Sequence, residues 1–189
     1  MSITSAKLPG TAATIAGGGN YDWSDVNNIK AIDGSFSTCS LSTKPSTSYI
    51  LLGTNFGFSA SDIPSGSTIN GIKLTIRNKS GGDAVDSSLY CYLNGSATGS
   101  NYASGIYWST VLADKVYGGA TDLWGWTPTQ GNILNSTFGF GLKVYSDLGN
   151  ETAQVDSYKV EIYYTAPASS SFIQQIMKTN YTSPFGGII

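Results

Sequence analysis

The residues that could carry out catalysis are few in this chain of 189 residues. It contains no histidine, which excludes Ser-His-Asp and Cys-His catalysis, imidazole-bound zinc and histidine pH switches. Its only two glutamates, Glu151 and Glu161, belong to no cluster of acids. A glycosidase needs two carboxyl groups about 5–10 Å apart, and acids this sparse suggest no such pair. The sequence therefore predicts a protein that is not an enzyme and that uses no cofactor.

Aromatic side chains offer a candidate binding site. Tyr107 and Trp108 are adjacent in the sequence, and Trp124 and Trp126 follow a short distance later. Aromatic faces stack on pyranose rings, so these four residues could form a platform that binds glycan. The alternative is that they fill the core and the ends of the fold, where large aromatic side chains are common. The sequence leaves both interpretations open.

Aspartates in two loop-rich stretches raise the question of a metal site. Asp22, Asp25 and Asp33 lie in one stretch, and Asp83 and Asp86 in another. Loop carboxylates can bind calcium, but this spacing matches no calcium-loop motif. Capping of turns by these side chains is the simpler interpretation, and the sequence predicts no metal.

Two cysteines are too few for a disulfide scaffold. Cys91 alternates with Leu89 and Leu93 on one face of a predicted strand, which indicates a small buried side chain. We therefore expect no disulfide between Cys39 and Cys91. Residues 1–16 lack the apolar stretch of a secretory leader, and both observations favour synthesis in a reducing cytoplasm.

The charge balance argues against nucleic acid and membrane partners. Charged residues make up 12% of the chain, the formal net charge is -2, and Arg77 is the only arginine. Nucleic acid recognition usually draws on several arginines and a basic surface. No apolar run approaches the ~20 residues that a membrane-spanning helix needs.

Hydrophobic alternation predicts an all-β fold. Ile72, Leu74 and Ile76 fall on one face of a strand and polar residues on the other, which is typical of a sheet with one buried face. The segment 138–144 alternates phenylalanine, leucine and valine with Gly139 and Gly141, so the glycine face must be shielded or closely approached. Short strands and long connections favour an antiparallel β-sandwich. Its predicted core is Ile72, Leu74, Ile76, Leu89, Cys91, Phe138, Phe140, Leu142, Val160 and Ile162.

The alternation covers residues 21–165 and divides the chain into three parts. Residues 1–20 are predicted to be an extended arm that ends in a Gly17–Gly19 hinge. Residues 166–189 are predicted to be a linker followed by an apolar arm that docks on a neighbouring subunit; folding back on the domain is the alternative. The predicted interface residues of this arm are Phe172, Ile173, Ile176, Met177, Phe185, Ile188 and Ile189.

Several segments of the central domain resemble a known pattern. They are YILLGTNFGF at 49–58, IPSGSTINGI at 63–72, YGGATDLWG at 117–125, FGFGL at 138–142 and AQVDSYKVEIYY at 153–164. Together they resemble the jelly-roll-type β-sandwich of tailed-phage and phage-derived virion proteins. The resemblance covers neither arm and brings no catalytic residue with it.

This resemblance implies a non-enzymatic structural role in a virion. We predict a capsid decoration protein, made in the host cytoplasm, that binds copies of itself, for example as a trimer, and another virion protein such as the major capsid protein. One alternative is a neck, tail-fibre or adaptor component. The other alternative is a carbohydrate-binding β-sandwich that uses exposed aromatic residues.

Overall fold

In the computed structural model, which describes residues 1–168, two antiparallel β-sheets enclose one hydrophobic core. The strands are β1 (Ser2–Ile3), β2 (Thr11–Ile15), β3 (Ser37–Leu41), β4 (Ser46–Thr47), β5 (Ile50–Thr54), β6 (Thr68–Ser80), β7 (Val85–Leu93), β8 (Ser96–Thr98), β9 (Ala113–Gly118), β10 (Gly139–Ser146) and β11 (Glu151–Thr165). A 3-10 helix covers Val26–Ile29, and a short α-helix, α1, covers Gln130–Leu134. The all-β sandwich of jelly-roll type predicted from the sequence is confirmed. Among these residues no helix is long and apolar enough to cross a membrane.

The first sheet is organised around its longest strand. Its order is β1-β11-β6-β9, and β3 also pairs with β11. β6 pairs with β11 from Ala153 to Thr165, so these two strands form the rigid centre of the sheet. β1 and β3 share the opposite edge of β11, at its two ends.

The second sheet has the order β2-β5-β10-β7-β8, and β4 also pairs with β10. The β7–β8 hairpin turns at Asn94 and Gly95, whose φ angles are 52° and 79°. Two successive positive φ angles match the type I′ turn, which suits the twist of a two-residue hairpin.

The inward faces of both sheets form a single core. All ten core residues predicted from the alternation are fully buried: Ile72, Leu74, Ile76, Leu89, Cys91, Phe138, Phe140, Leu142, Val160 and Ile162. Tyr158 lies with them, and its hydroxyl donates to the Leu51 carbonyl at 3.0 Å. Because Tyr158 is in the first sheet and Leu51 in the second, this hydrogen bond links the two sheets.

Residues 1–20 do not form a separate arm. Their strand β1 lies at an edge of the first sheet, and β2 is an edge strand of the second, paired along its length with β5. The glycine run is no free hinge either, because a Cβ on Gly19 would lie 2.0 Å from the Ser48 carbonyl oxygen. The prediction failed because edge pairing depends on backbone hydrogen bonds, which leave little trace in side-chain periodicity.

Two further elements lie in segments that the alternation left unassigned. β9 lies between two aromatic stretches, at the edge of the first sheet. The helix α1 begins with a capping box in which Thr129 and Asn132 bond each other reciprocally. Asparagine replaces the usual Glu or Gln of this motif, which is why the helix start was missed.

The predicted docking arm lies outside the described residues. This applies to all its interface residues, Phe172, Ile173, Ile176, Met177, Phe185, Ile188 and Ile189. The interface therefore stays a prediction.

The buried position of Leu74 gives a direct test of the core. We expect Leu74→Ala to lower the free energy of unfolding by about 2–5 kcal/mol, because truncation leaves a cavity between the sheets. Val116→Ala is the control, since Val116 is 57% exposed, and it should change stability by less than about 0.5 kcal/mol. Urea unfolding followed by circular dichroism measures both, and equal effects would contradict the strand register.

Candidate functional site

The predicted glycan platform is not formed, because two of its tryptophans lie in the core. Trp124 is fully buried; its Nε1 donates to the Ile72 carbonyl at 3.0 Å, and its ring stacks on Tyr102 with centroids 4.3 Å apart. Trp108 is 3% exposed, and its Nε1 donates to Asp86 Oδ1 at 3.2 Å. A sugar cannot stack on rings that are closed off from solvent. The platform hypothesis is wrong for these residues, and core packing is confirmed.

The other two residues of the predicted platform differ in how far their side chains are exposed to solvent. Trp126 is half-buried against the core, whereas Tyr107 is 58% exposed. One exposed tyrosine does not make a platform.

A buried ion pair crosses the sandwich from one sheet to the other. Asp86, on the inward face of β7, is contacted by the ammonium group of Lys115, on the inward face of β9. Asp86 also accepts hydrogen bonds from the backbone N–H and the hydroxyl of Ser104, the latter at 3.1 Å. Together with the hydrogen bond from Trp108, these contacts hold the two sheets and the loop that carries Ser104 together.

The surroundings of Asp86 keep it ionised. Burial by itself raises the pKa of its carboxyl, but the hydrogen bond and charge of Lys115 and the bond from Ser104 outweigh burial and lower the pKa below its usual range. A carboxyl with a lowered pKa carries no proton at neutral pH. Asp86 is therefore poorly suited to act as a general acid.

Two other carboxylates tie turns together. Glu151 accepts hydrogen bonds from the backbone N–H groups of Gly81 and Asp83, the latter at 3.0 Å. The Asp83 carboxylate in turn accepts from the Ser146 hydroxyl at 2.7 Å and from the Leu148 N–H at 3.0 Å. The turn after β6 is thus fixed to the turn before β11.

The remaining aspartates of the loops also act on the backbone. Asp22 and Asp33 each accept a hydrogen bond from a nearby backbone N–H, so the turn capping expected for them is confirmed. Asp156 is fully buried and accepts from the Gly34 N–H at 2.8 Å. Within residues 1–168 no group of three aspartate, glutamate or cysteine side chains could hold a metal ion.

The two cysteines are buried and unpaired with each other. Burial raises the pKa of the Cys39 thiol to about 12, and it raises that of Cys91 further. Both therefore stay protonated, and neither behaves as a nucleophile at neutral pH.

The outer face of the first sheet is charged and internally paired. Lys73 contacts Glu161 across β6 and β11. Asp114 lies 2.9 Å from Arg77 and 4.0 Å from Lys159. Such a network is typical of a solvated surface.

The outer face of the second sheet is almost free of charge. Its single charged residue is Lys143, whose ammonium donates to the Gly17 carbonyl at 2.7 Å. From strand alternation and register, the outward residues are Thr11, Ala13, Ile15, Ile50, Leu52, Thr54, Ser88, Tyr90, Tyr92, Gly139, Gly141, Lys143 and Tyr145.

A cleft of about 410 Å³ lies at one end of this face. It is lined by Thr11, Leu52, Thr54, Asn55, Tyr92, Gly95, Ser136 and Thr137. Its volume falls within the ~300–1,000 Å³ of typical small-molecule sites. Strands β2, β5 and β7 contribute lining residues, and Thr11, Thr54 and Tyr92 lie in one row across the sheet with Gly139 of β10.

Glycines of β10 make room for the side chains beside the cleft. A Cβ on Gly141 would lie 2.4 Å from Tyr92 Cε2 and 2.8 Å from Ile50 Cγ2. Both side chains therefore lie over Gly141, as expected for a glycine face that must be shielded. A Cβ on Gly139 would lie 2.2 Å from the Gly53 carbonyl oxygen, so this position requires glycine for the close approach of β5.

Hydrogen bonds fix the rim of the cleft. The Asn94 N–H donates to the Thr137 hydroxyl at 3.0 Å, and that hydroxyl donates to the Asn94 side chain at 3.0 Å. On the opposite side, the Asn55 carbonyl accepts from the Gly10 N–H at 2.8 Å. A rim held in this way is organised before any ligand arrives.

Four polar side chains of the cleft are available to form hydrogen bonds with a ligand. In the part of the chain that the structure describes, Thr11, Thr54, Asn55 and Ser136 make no side-chain hydrogen bond. Their hydroxyl and amide groups are neutral and can both donate and accept. They surround the apolar side chain of Leu52, which gives the cleft a mixed apolar and polar lining.

The sequence analysis missed this cleft. It noted the unusual glycine face of β10, and the alternation that places Cys91 inward leaves Tyr92 on the outward face of β7. The missing information was the pairing of β10 with both β7 and β5, which brings those two observations together. That pairing joins residues about 40 to 90 positions apart in the chain, which no local pattern reveals.

Comparisons with known proteins gave distant structural matches only. The scan against protein-family models and the search of curated proteins found no match. Among solved structures, the chain is similar to the family 11 carbohydrate-binding module of the cellulosomal cellulase Lic26A-Cel5E of Clostridium thermocellum, at 8% identity over 89% of this chain and 92% of that one, with a TM-score of 0.38. It is also similar to the tandem CBM22-1-CBM22-2 domain of Paenibacillus barcinonensis Xyn10C, at 11% identity over 89% of this chain and 47% of that one, with a TM-score of 0.39. Values this low transfer neither a ligand nor a residue role to this chain.

The Asp86–Lys115 pair gives a pH-dependent prediction. Asp86→Asn should lower the free energy of unfolding at pH 7 by up to about 3–5 kcal/mol, because it leaves Lys115 without its counter-charge. The Asp86 pKa is lowered on folding, so its contribution is present above the unfolded value of about 3.9 and is lost as the pH falls below it. The difference between wild type and Asp86→Asn should therefore shrink between pH 7 and pH 3.

The matched control is Asp114→Asn, the same change in an exposed ion pair. It should alter stability by no more than about 1 kcal/mol at pH 7. Urea unfolding at both pH values measures these effects. A constant difference between wild type and Asp86→Asn over this range would contradict the role assigned to the pair.

Proposed function

We propose that this domain binds carbohydrate without catalysis, in the cleft on the outer face of the second sheet. The observation that carries the proposal is the lining of the cleft. Neutral hydroxyl and amide groups with no internal partner surround an apolar surface formed by Leu52 and Tyr92.

A sugar complements this lining chemically. A pyranose ring has a face of C–H groups, which packs against apolar and aromatic side chains, and a rim of hydroxyls, each a donor and an acceptor. Thr11, Thr54, Asn55 and Ser136 offer the same dual capacity. A few placed polar groups around an apolar surface are what fixes the orientation of a small ligand.

The positions of the acids support binding rather than hydrolysis. Among residues 1–168, no carboxylate lines the cleft. Asp86, Asp156 and Glu151 are all engaged in holding sheets and turns together. A glycosidase needs two carboxyl groups that flank the substrate.

The test is binding of wild type and cleft variants to soluble neutral polysaccharides: mixed-linked β-glucan, xylan, galactomannan and starch. Thr54→Val removes a hydroxyl but keeps the shape of the side chain, and it should weaken binding about two- to tenfold through loss of about 0.5–1.5 kcal/mol. Leu52→Ala should weaken binding by a similar or larger factor, because it removes apolar contact area. Affinity gel electrophoresis and calorimetry measure both effects.

The controls repeat these changes outside the cleft. Thr152→Val lies in β11 and Val116→Ala in β9, and both residues are exposed. We expect both controls to bind like wild type. The proposal is rejected if no polysaccharide binds, or if all four variants bind as wild type does.

A second function, a virion structural role, rests on the apolar residues of the segment 172–189. Seven exposed apolar side chains would favour aggregation unless a partner buries them. Burial on a neighbouring subunit would contribute about 1.5–3 kcal/mol for each fully buried side chain, less the cost of ordering the segment. Such a protein would assemble through this segment, with copies of itself or with a capsid protein.

Truncation after Ala166 tests this second function. The last strand, β11, ends at Thr165, so the shortened chain should keep its β-type circular dichroism but lose assembly. Analytical ultracentrifugation of both chains measures this. An unfolded truncated chain would show that the segment stabilises its own domain, and unchanged assembly would show that the segment is dispensable.

A further inference from the structure

We infer that the cleft accepts a short neutral oligosaccharide lying across the strands, from the edge strand β2 toward Tyr92. This inference rests on the proposed function and specifies its ligand. Three features of the cleft support it: the sides on which the cleft is closed, the residues along its open side, and the charges nearby.

The cleft is closed along the strands at the loop end of the sheet. Asn55 follows β5, Gly95 follows β7, and Ser136 and Thr137 precede β10. Because these neighbouring strands are antiparallel, all three connections lie at the same end of the sheet. The hydrogen bonds between Thr137 and Asn94 hold two of these connections together.

The cleft is also closed along the strands in the other direction. Tyr92 and Ile50 meet over Gly141, and their atoms occupy the space where its Cβ would be. Tyr92 is 8% exposed, so its ring lies against the sheet. A chain running along β10 would have to displace both side chains.

The cleft is open in the direction across the strands. The row Thr11, Thr54, Gly139 and Tyr92 crosses four strands, and three spacings of about 4.8 Å give a length on the order of 14 Å. A pyranose unit of an extended chain is about as long as one strand spacing, so this row holds about two or three units. Thr11 is exposed and lies on an edge strand, so the row is open to solvent at that end.

The charges near the cleft favour a neutral sugar. No lysine or arginine of the described part of the chain lines it, and Lys143, on the same face, donates to the Gly17 carbonyl. A carboxylate or sulfate on the ligand would lose its hydration without gaining a cation. Uronic acid polymers should therefore bind more weakly than neutral ones.

The first experiment measures affinity against ligand length with the full-length protein. The probes are oligosaccharides of one to six units from the best-binding polysaccharide of the panel, with polygalacturonate as the anionic comparison. We expect the affinity to rise up to the trisaccharide and to change less than about twofold beyond it, with weaker binding to polygalacturonate. A steady rise through six units, or equal binding to polygalacturonate, would overturn the inference.

The second experiment locates the ligand. On adding the trisaccharide, we expect the backbone amide NMR signals of Thr11, Thr54 and Gly139 to shift and those of Ser88 and Tyr145 to stay unchanged. Thr11→Val should weaken trisaccharide binding several-fold, while Thr152→Val leaves it unchanged. Shifts at Ser88 and Tyr145 with none at Thr11 would place the ligand along the strands and refute the inference.

These results separate the inference from the proposed function. Binding that depends on Thr54 but follows the wrong direction or length refutes the inference alone. If wild type binds no saccharide of any length, the proposed function fails and the inference fails with it.

Discussion

The alternation of large apolar residues with glycine along β10 is the constraint on which both the core and the cleft depend. Phe140 and Leu142 point inward and are fully buried between the sheets. Gly139 and Gly141 point outward, where any side chain would collide with β5 or with Tyr92. The large side chains of β10 thus join the two sheets, and its glycines leave the space that Tyr92 occupies beside the cleft. A one-residue slip of register would exchange the two faces and destroy both features together.

The distribution of charge follows from the same division into faces. The outer face of the first sheet carries the paired charges of Lys73, Glu161, Arg77 and Asp114. The outer face of the second sheet, by contrast, carries only Lys143 among the described residues. The buried acids Asp86 and Asp156 accept backbone hydrogen bonds that hold loops to the sheets. Neither lies among the residues that line the cleft.

The sequence predicted the parts of the fold that depend on local periodicity. The ten predicted core residues were all correct, because the burial of one face imposes a period of two on each strand. The aromatic platform was wrong because composition does not say whether a tryptophan faces solvent; the Trp124 indole finds its hydrogen-bond partner inside, at the Ile72 carbonyl. β2 was missed because an edge strand of small residues, such as Ala12 and Ala13, carries almost no amphipathic signal. The cleft was missed because it consists of residues that only strand pairing brings together.

The edge strand β2 connects the folding of the N-terminal segment with the proposed site. Thr11 lies on this strand at the open end of the row of cleft residues, and its register with Thr54 is set by the ladder between β2 and β5. A ladder of five residues at a sheet edge is weak by itself, so it needs further anchors. Two lie just before β2 in the chain: the Lys7 ammonium donates to Asp62 at 2.9 Å, and the Gly10 N–H donates to the Asn55 carbonyl at 2.8 Å. Because Asn55 itself lines the cleft, the bonds that hold the first residues of the chain in place also hold one wall of the site. The contacts that place residues 1–20 on the sheet therefore also shape the cleft.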